Sequence, residues 1–145
     1  MIDIQGDDIL SLIPQRPPMV VVDRLYGLND IGCLGLHSCL TILPDNLFCE
    51  SGVFVEAGII EHMAQSAAAR VGYRYMLENV AVPIGFIASV DKFKLYRLPH
   101  IGDILDTVIN DIHSVDNIKL IEVITSINGE LIAKCRMKIF MKTGT

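Results

Sequence analysis

The sequence has no excess of positive charge, no long apolar run and no metal-type cysteine spacing, and each absence removes a class of function. It carries 12 Lys and Arg against 17 Asp and Glu, a formal charge of −5. The basic footprint that nucleic acid or an anionic membrane surface requires is therefore missing. No apolar stretch reaches the roughly 20 residues that span a bilayer. Met1 to Leu12 holds Asp3, Asp7 and Asp8 and no basic start, so it does not read as a signal peptide. Cys33, Cys39, Cys49 and Cys135 contain no C-x-x-C pair, and no histidine stands at a zinc-ligand offset. Cys33 and Cys39 lie too far apart along one expected strand to bridge each other. Reduced, partly buried thiols are expected, which favours a cytoplasmic protein. No metal and no cofactor is expected.

What is present is apolar. Hydrophobic residues make up 51% of the 145 residues and charged ones 20%. That length suits one domain, 1–145, able to bury roughly 70% of its unfolded surface. So apolar a composition points to an oligomer. The densest apolar segment runs from about Val55 to Leu77 and includes Ala57, Ile59, Ile60, Met63, Ala64, Ala67, Ala68 and Val71. These positions form no single stripe, so the helix they make is expected to be buried on most sides. Glu61 sits inside that run. A carboxylate there must be paired, protonated or in use.

Punctuation by turn residues organises the rest. Asp7 to Ile13 reads as a short helix ended by Pro14, and Gln15-Arg16-Pro17-Pro18 as a stiff elbow. Met19 to Leu28 reads as a strand buried on both faces, followed by a turn at Asn29-Asp30 and a strand from Gly32 to Leu43. After the long helix come four strands: Ile84 to Arg97, Asp103 to Ser114, Ile118 to Ile127 and Leu131 to Met141. Asn128-Gly129 is a two-residue hairpin signal between the last two. No repeat, low-complexity tract or linker interrupts them. One long helix cannot cover both faces of such a sheet, which makes the fold α+β. A curved antiparallel sheet wrapped around one central helix satisfies the pattern, and this is the hot-dog fold.

Two motifs carry a resemblance. Leu12 to Arg24 (L-I-P-Q-R-P-P-M-V-V-V-D-R) resembles the opening of beta-hydroxyacyl-acyl carrier protein dehydratases, which commonly read L-P-H-R-x-P-x-L-L-V-D-R. Ile59 to Gln65 (I-I-E-H-M-A-Q) is similar to their I-I-E-A-M-A-Q helix. The Pro-Pro-Met form, Gly85-Phe86-Ile87 and the Ala133-to-Phe140 ending look closer to a divergent branch, the dehydratase-like proteins of aryl polyene and flexirubin-type pigment clusters. In that family the helix Glu acts with a His from a G-H-F-P loop, completed across a dimer interface. Glu61 carries over directly. The loop His does not: family spacing puts Leu47 there, followed by a matching Phe48, with Asn46 and Cys49 replacing the Gly and Pro. Gln15 replaces the other family histidine.

The candidate residues follow from the chemistry of dehydration, which needs a base for the alpha proton and an acid for the leaving hydroxyl. Glu61 is the acid/base candidate, because desolvation in an apolar tunnel favours its proton-carrying form. Gln65, one helical turn on, is placed to orient its carboxylate. His62 is the nearest imidazole and a further catalytic candidate, but it points about 100° away, toward a partner's site or as a helix-surface or interface histidine. Backbone N–H groups at Gly58 and Ile59 are candidates for polarising the thioester oxygen, and Gly58 for letting it approach. Arg16 and Phe48 complete the substrate-binding candidates. Glu50 and Ser51 lie on the loop that would bear the family His. His37 reads as a strand-face residue, and His100 and His113 as exposed. Lys92 and Lys94 are expected on one sheet face, near Arg97, where an acidic carrier protein would find them complementary.

Together these point to a dehydratase-like protein acting on 3-hydroxyacyl thioesters of acyl carrier protein or coenzyme A, in fatty-acid or polyene-type biosynthesis. A homodimer, or a higher oligomer of dimers, is expected to form through the edge of the strand that follows the helix. An acyl thioesterase and a non-catalytic acyl-thioester-binding subunit remain the other two readings.

Overall fold

The computed structural model describes residues 1–28, 35–82 and 84–142. The expected turn at Asn29-Asp30, the start of the strand at Gly32, and Cys33 lie outside them. The elements are β1 (Ile2–Gln5), a three-ten helix (Gly6–Ser11), β2 (Arg24–Gly27), β3 (Leu36–Thr41), β4 (Cys49–Glu50), β5 (Val53–Phe54), α1 (Glu56–Leu77), β6 (Ile84–Leu95), β7 (Ile104–Val115), β8 (Ile118–Ile127) and β9 (Glu130–Lys142). Seven strands form one antiparallel sheet in the order β1-β2-β3-β7-β8-β9-β6, while β4 and β5 form a small separate hairpin.

α1 lies on this sheet and separates two cores, which is why its apolar residues fall on several faces. On one flank Ile59, Met63 and Ala67 pack with Leu105, Ile109, Val123 and Met137. On the other Ala69 and Tyr73 pack with Ile9, Leu12, Val22, Leu25 and Leu36. Ile59 and Met63 have no exposed surface, and burial of each contributes about 1.5–3 kcal/mol. Gly72 marks where the N-terminal segment crosses the helix, since a Cβ there would lie 2.1 Å from the Leu12 carbonyl oxygen. The hairpin signal at Asn128-Gly129 holds, with φ of 50° and 82° as a tight primed turn requires.

Three local expectations change. The short helix is a three-ten turn, Gly6–Ser11, and it ends before Ile13. The first strand pairs only over Arg24–Gly27. Upstream, the backbone of Met19 and Val21 bonds to side chains of α1 instead of to a neighbouring strand. Val21 and Val22 are nevertheless buried in the two different cores, so the continuous apolar run is explained. β1 was not expected, although Ile2 and Ile4 alternate; it pairs Ile4 with Leu25 and joins Asp3 to Arg24 at 2.9 Å.

β6 is an edge strand, and Phe86 and Ile87 on it are 51% and 41% exposed. A register shift between Asp91 and Lys94, with φ of 53° at Lys92, marks a bulge, yet Lys92 and Lys94 are both exposed as expected, while Phe93 and Leu95 pack on the core. Lys94 pairs across the strands with Lys134. No helix among the described residues is long and apolar enough to cross a membrane.

Candidate active site

A groove of about 500 Å³ runs along α1. Ser11 to Gln15 form one wall, the strand residues Phe86, Ile87, Ile139 and Met141 the other, and Glu61, Ala64, Ala68 and Val71 the floor. The floor residues recur every three or four positions, so they lie one above another on a single helical face. Glu61 stands at the N-terminal end of that row. It is the only ionisable side chain among the described residues lining the groove.

Glu61 is held by Gln65, whose Nε2 donates to Glu61 Oε1 at 2.8 Å. The same Nε2 donates to the Met19 carbonyl at 2.8 Å, and Gln65 Oε1 accepts from the Val21 N–H at 2.8 Å. A backbone N–H can only donate, so the amide oxygen must face Val21 and Nε2 must face Glu61. Gln65 is wholly buried, which removes competing water. The i, i+4 spacing thus brings together two of the expected residues.

His62 points elsewhere. Its Nδ1 lies 2.7 Å from the Val21 carbonyl oxygen and its Nε2 2.8 Å from Thr107 Oγ1, which in turn lies 2.6 Å from Thr125 Oγ1. The carbonyl can only accept, so Nδ1 carries the proton and Nε2 accepts from Thr107. Complete burial pushes the imidazole down to about 4, so it is neutral. The candidate acid/base histidine is therefore a buried pin between α1, β7 and the Met19–Val21 segment.

The thioester-binding candidates are also displaced. The N–H groups of Gly58 and Ile59 both donate to the Val55 carbonyl, at 2.9 and 3.3 Å, so neither is a free donor. Gly58 is small for an internal reason: a Cβ would lie 2.6 Å from Phe48 Cβ and 2.7 Å from Phe54 Cζ. Ile59 is in the core. Phe48 packs edge-on against Phe54, centroids 6.2 Å apart, and does not line the groove. Arg16 is exposed, its Nη1 donating to the carbonyls of Ile13 at 2.9 Å and Gln15 at 2.7 Å. Leu47, Glu50 and Ser51 are exposed on the loop before α1. His37 is a strand-face residue bonded to Asp106 at 2.7 Å, and His100 and His113 are exposed, as expected. Cys39, Cys49 and Cys135 are free thiols, and burial pushes Cys39 up to about 12 and Cys135 to about 11.

Gln15 and the Ala64-Ala68-Val71 face were not expected in the site. The small residues read as helix packing, because periodicity cannot distinguish a sheet contact from an open groove.

A curved antiparallel sheet on one central helix, with a lone oriented carboxylate at the end of an apolar groove, defines a hot-dog protein. Residues 7–144 match the model of the ApeP-like family, described as ApeP dehydratase, and the chain belongs to that family of hot-dog dehydratases. It is 26% identical over 141 residues to the 3-hydroxyacyl-[acyl-carrier-protein] dehydratase FabZ of Methylobacterium nodulans, covering 93% of this chain and 87% of that one. Its fold matches the dehydratase heterocomplex ApeI:P from Xenorhabdus doucetiae with a TM-score of 0.82 at 18% identity, over 93% of this chain and 91% of that one. A hypothetical thioesterase solved with coenzyme A from Streptococcus pneumoniae has the same fold at lower similarity, TM-score 0.59 and 10% identity over 74% and 77%.

Proposed function

We propose that this chain dehydrates 3-hydroxyacyl thioesters, with Glu61 as an acid/base group. The observation that carries this reading is the Glu61 carboxylate, fixed by Gln65 at the end of an apolar groove. Dehydration removes a proton from C2 and hydroxide from C3, leaving a 2-enoyl thioester and water. The acyl chain lies over Ala64, Ala68 and Val71, which places C3 near Glu61. Protonated Glu61 gives its proton to the departing hydroxyl.

The proton from C2 needs a second group, and no described histidine lines the groove. The dehydratase resemblance implies a histidine from another subunit's loop, where this chain has Leu47. The missing base therefore comes from a partner chain that docks along β6. A second copy brings only another Leu47. A sister hot-dog chain with a histidine on that loop completes the pair, and the ApeI:P neighbour is itself a heterocomplex. The thioester carrier is acyl carrier protein or coenzyme A. Lys94 and Lys134, paired across β6 and β9, support the acidic carrier protein.

The test is an assay of the purified protein, alone and with a sister subunit, on 3-hydroxyacyl carrier protein. Formation of 2-enoyl product without free thiol supports the reading. Thiol release identifies a thioesterase. Binding without product in either form identifies the acyl-binding subunit, the reading that the histidine-free groove favours next.

A further inference from the structure

Gln15 lies in the groove wall with Glu61, and its Oε1 is the one buried side-chain oxygen or nitrogen without a hydrogen-bond partner among the described residues. An amide oxygen withdrawn from water and left unpaired destabilises a fold, so such atoms are rare and mark places where a ligand supplies the missing donor. The surrounding chain is anchored. Leu12 rests on α1 at Gly72, and the Gln15 carbonyl accepts from Arg16 at 2.7 Å.

We infer that Gln15 is a substrate-binding residue whose Oε1 accepts a hydrogen bond from the 3-hydroxyl of the acyl chain. This rests on the dehydratase reading. The choice of ligand atom follows from donor chemistry: the methylenes and the thioester carbonyl of an acyl thioester have no donor to offer, whereas the 3-hydroxyl has one. Glu61 transfers its proton to that oxygen as the C3–O bond breaks, the C2–H pair forms the new double bond, and the C2 proton goes to the partner's base. The leaving oxygen departs as water. The water that forms keeps an O–H for Gln15 Oε1, so the acceptor serves the oxygen before and after the C3–O bond breaks. Gln15 stands where the related dehydratases carry a histidine, and the substitution puts a neutral acceptor there.

The experiment compares two ligands, 3-hydroxyoctanoyl-pantetheine and octanoyl-pantetheine thioesters, by titration calorimetry. It uses the full chain with Glu61→Gln, which blocks turnover, and the same protein with Gln15→Leu or Gln15→Met added. The expected result is a roughly five- to tenfold preference for the hydroxylated ligand, the size of one hydrogen bond, lost in both Gln15 variants. Unchanged octanoyl affinity shows that the variants are folded. A hydroxyl preference that survives both variants overturns the inference, and so does equal weakening of both ligands, which places Gln15 on the pantetheine arm. Failure to bind either ligand overturns the inference together with the acyl-thioester reading. A retained, Gln15-dependent preference in a wild-type protein that forms no enoyl product removes the dehydratase reading and keeps the binding role.

Discussion

Gln65 donates to Glu61 Oε1 at 2.8 Å with an amide already locked by Val21 and Met19. The orientation of the one ionisable group among the described groove residues is thus set by backbone about 40 residues away in sequence, through a side chain that water does not reach. Gln65→Leu is expected to cut turnover by roughly ten- to a hundredfold with a smaller change in KM, because it frees the acid without narrowing the groove. It also leaves the Val21 N–H and Met19 carbonyl unpaired, at a cost of about 1–3 kcal/mol in stability. Steady-state kinetics with urea denaturation separates the two effects. An unchanged kcat in a folded protein contradicts the orienting role.

His62 sets an acid limit on stability. Its folded value of about 4 lies below the ordinary 6.5, so as pH falls the unfolded chain takes up the proton first. The stability it contributes is complete above pH 6.5 and is lost between there and pH 4, on the order of 3 kcal/mol. Asp23, whose carboxyl is raised by burial, works in the opposite direction. Urea midpoints at pH 7 and pH 5 are expected to fall in the native protein. His62→Ala is expected to be less stable at pH 7 but to show a flatter dependence.

On the proposed reading, the groove floor limits the acyl length. From Glu61 to Val71 is ten residues, about 15 Å of helix axis. Ala68→Leu places a branched side chain about two-thirds of the way along and is expected to abolish turnover of long acyl chains while sparing 3-hydroxybutyryl thioesters. A chain-length series checks this. Equal loss at every length points to a folding defect instead.

β6 leaves its outer edge and Phe86 exposed. On the proposed docking of a partner along β6, Phe86→Glu is expected to give single chains in light scattering. Activity retained by a monomer contradicts the need for a partner's base.

Much of the fold is legible in the sequence because α1 and β6 to β9 are specified locally, by an Ala-rich run and by turn pairs such as Asn128-Gly129. The N-terminal third is less legible. Val20 to Val22 reads as strand by composition, yet its hydrogen bonds go to Gln65 and His62, partners more than 40 residues on that no local pattern announces. The site divides the same way. Glu61 and Gln65 share a helix face and were paired by spacing alone. Gln15 enters only through tertiary approach of the elbow to the groove, and Gly58 is explained by Phe48 and Phe54 packing over it.

The most direct test of the account is Glu61→Gln, assayed on 3-hydroxyacyl carrier protein in the assembled protein. The carboxamide keeps the size and the contact to Gln65 but cannot give up a proton to a leaving hydroxyl. Turnover to the 2-enoyl product is predicted to fall by at least about a hundredfold with substrate binding retained. Unchanged turnover in that variant contradicts the role of Glu61 and the mechanism built on it.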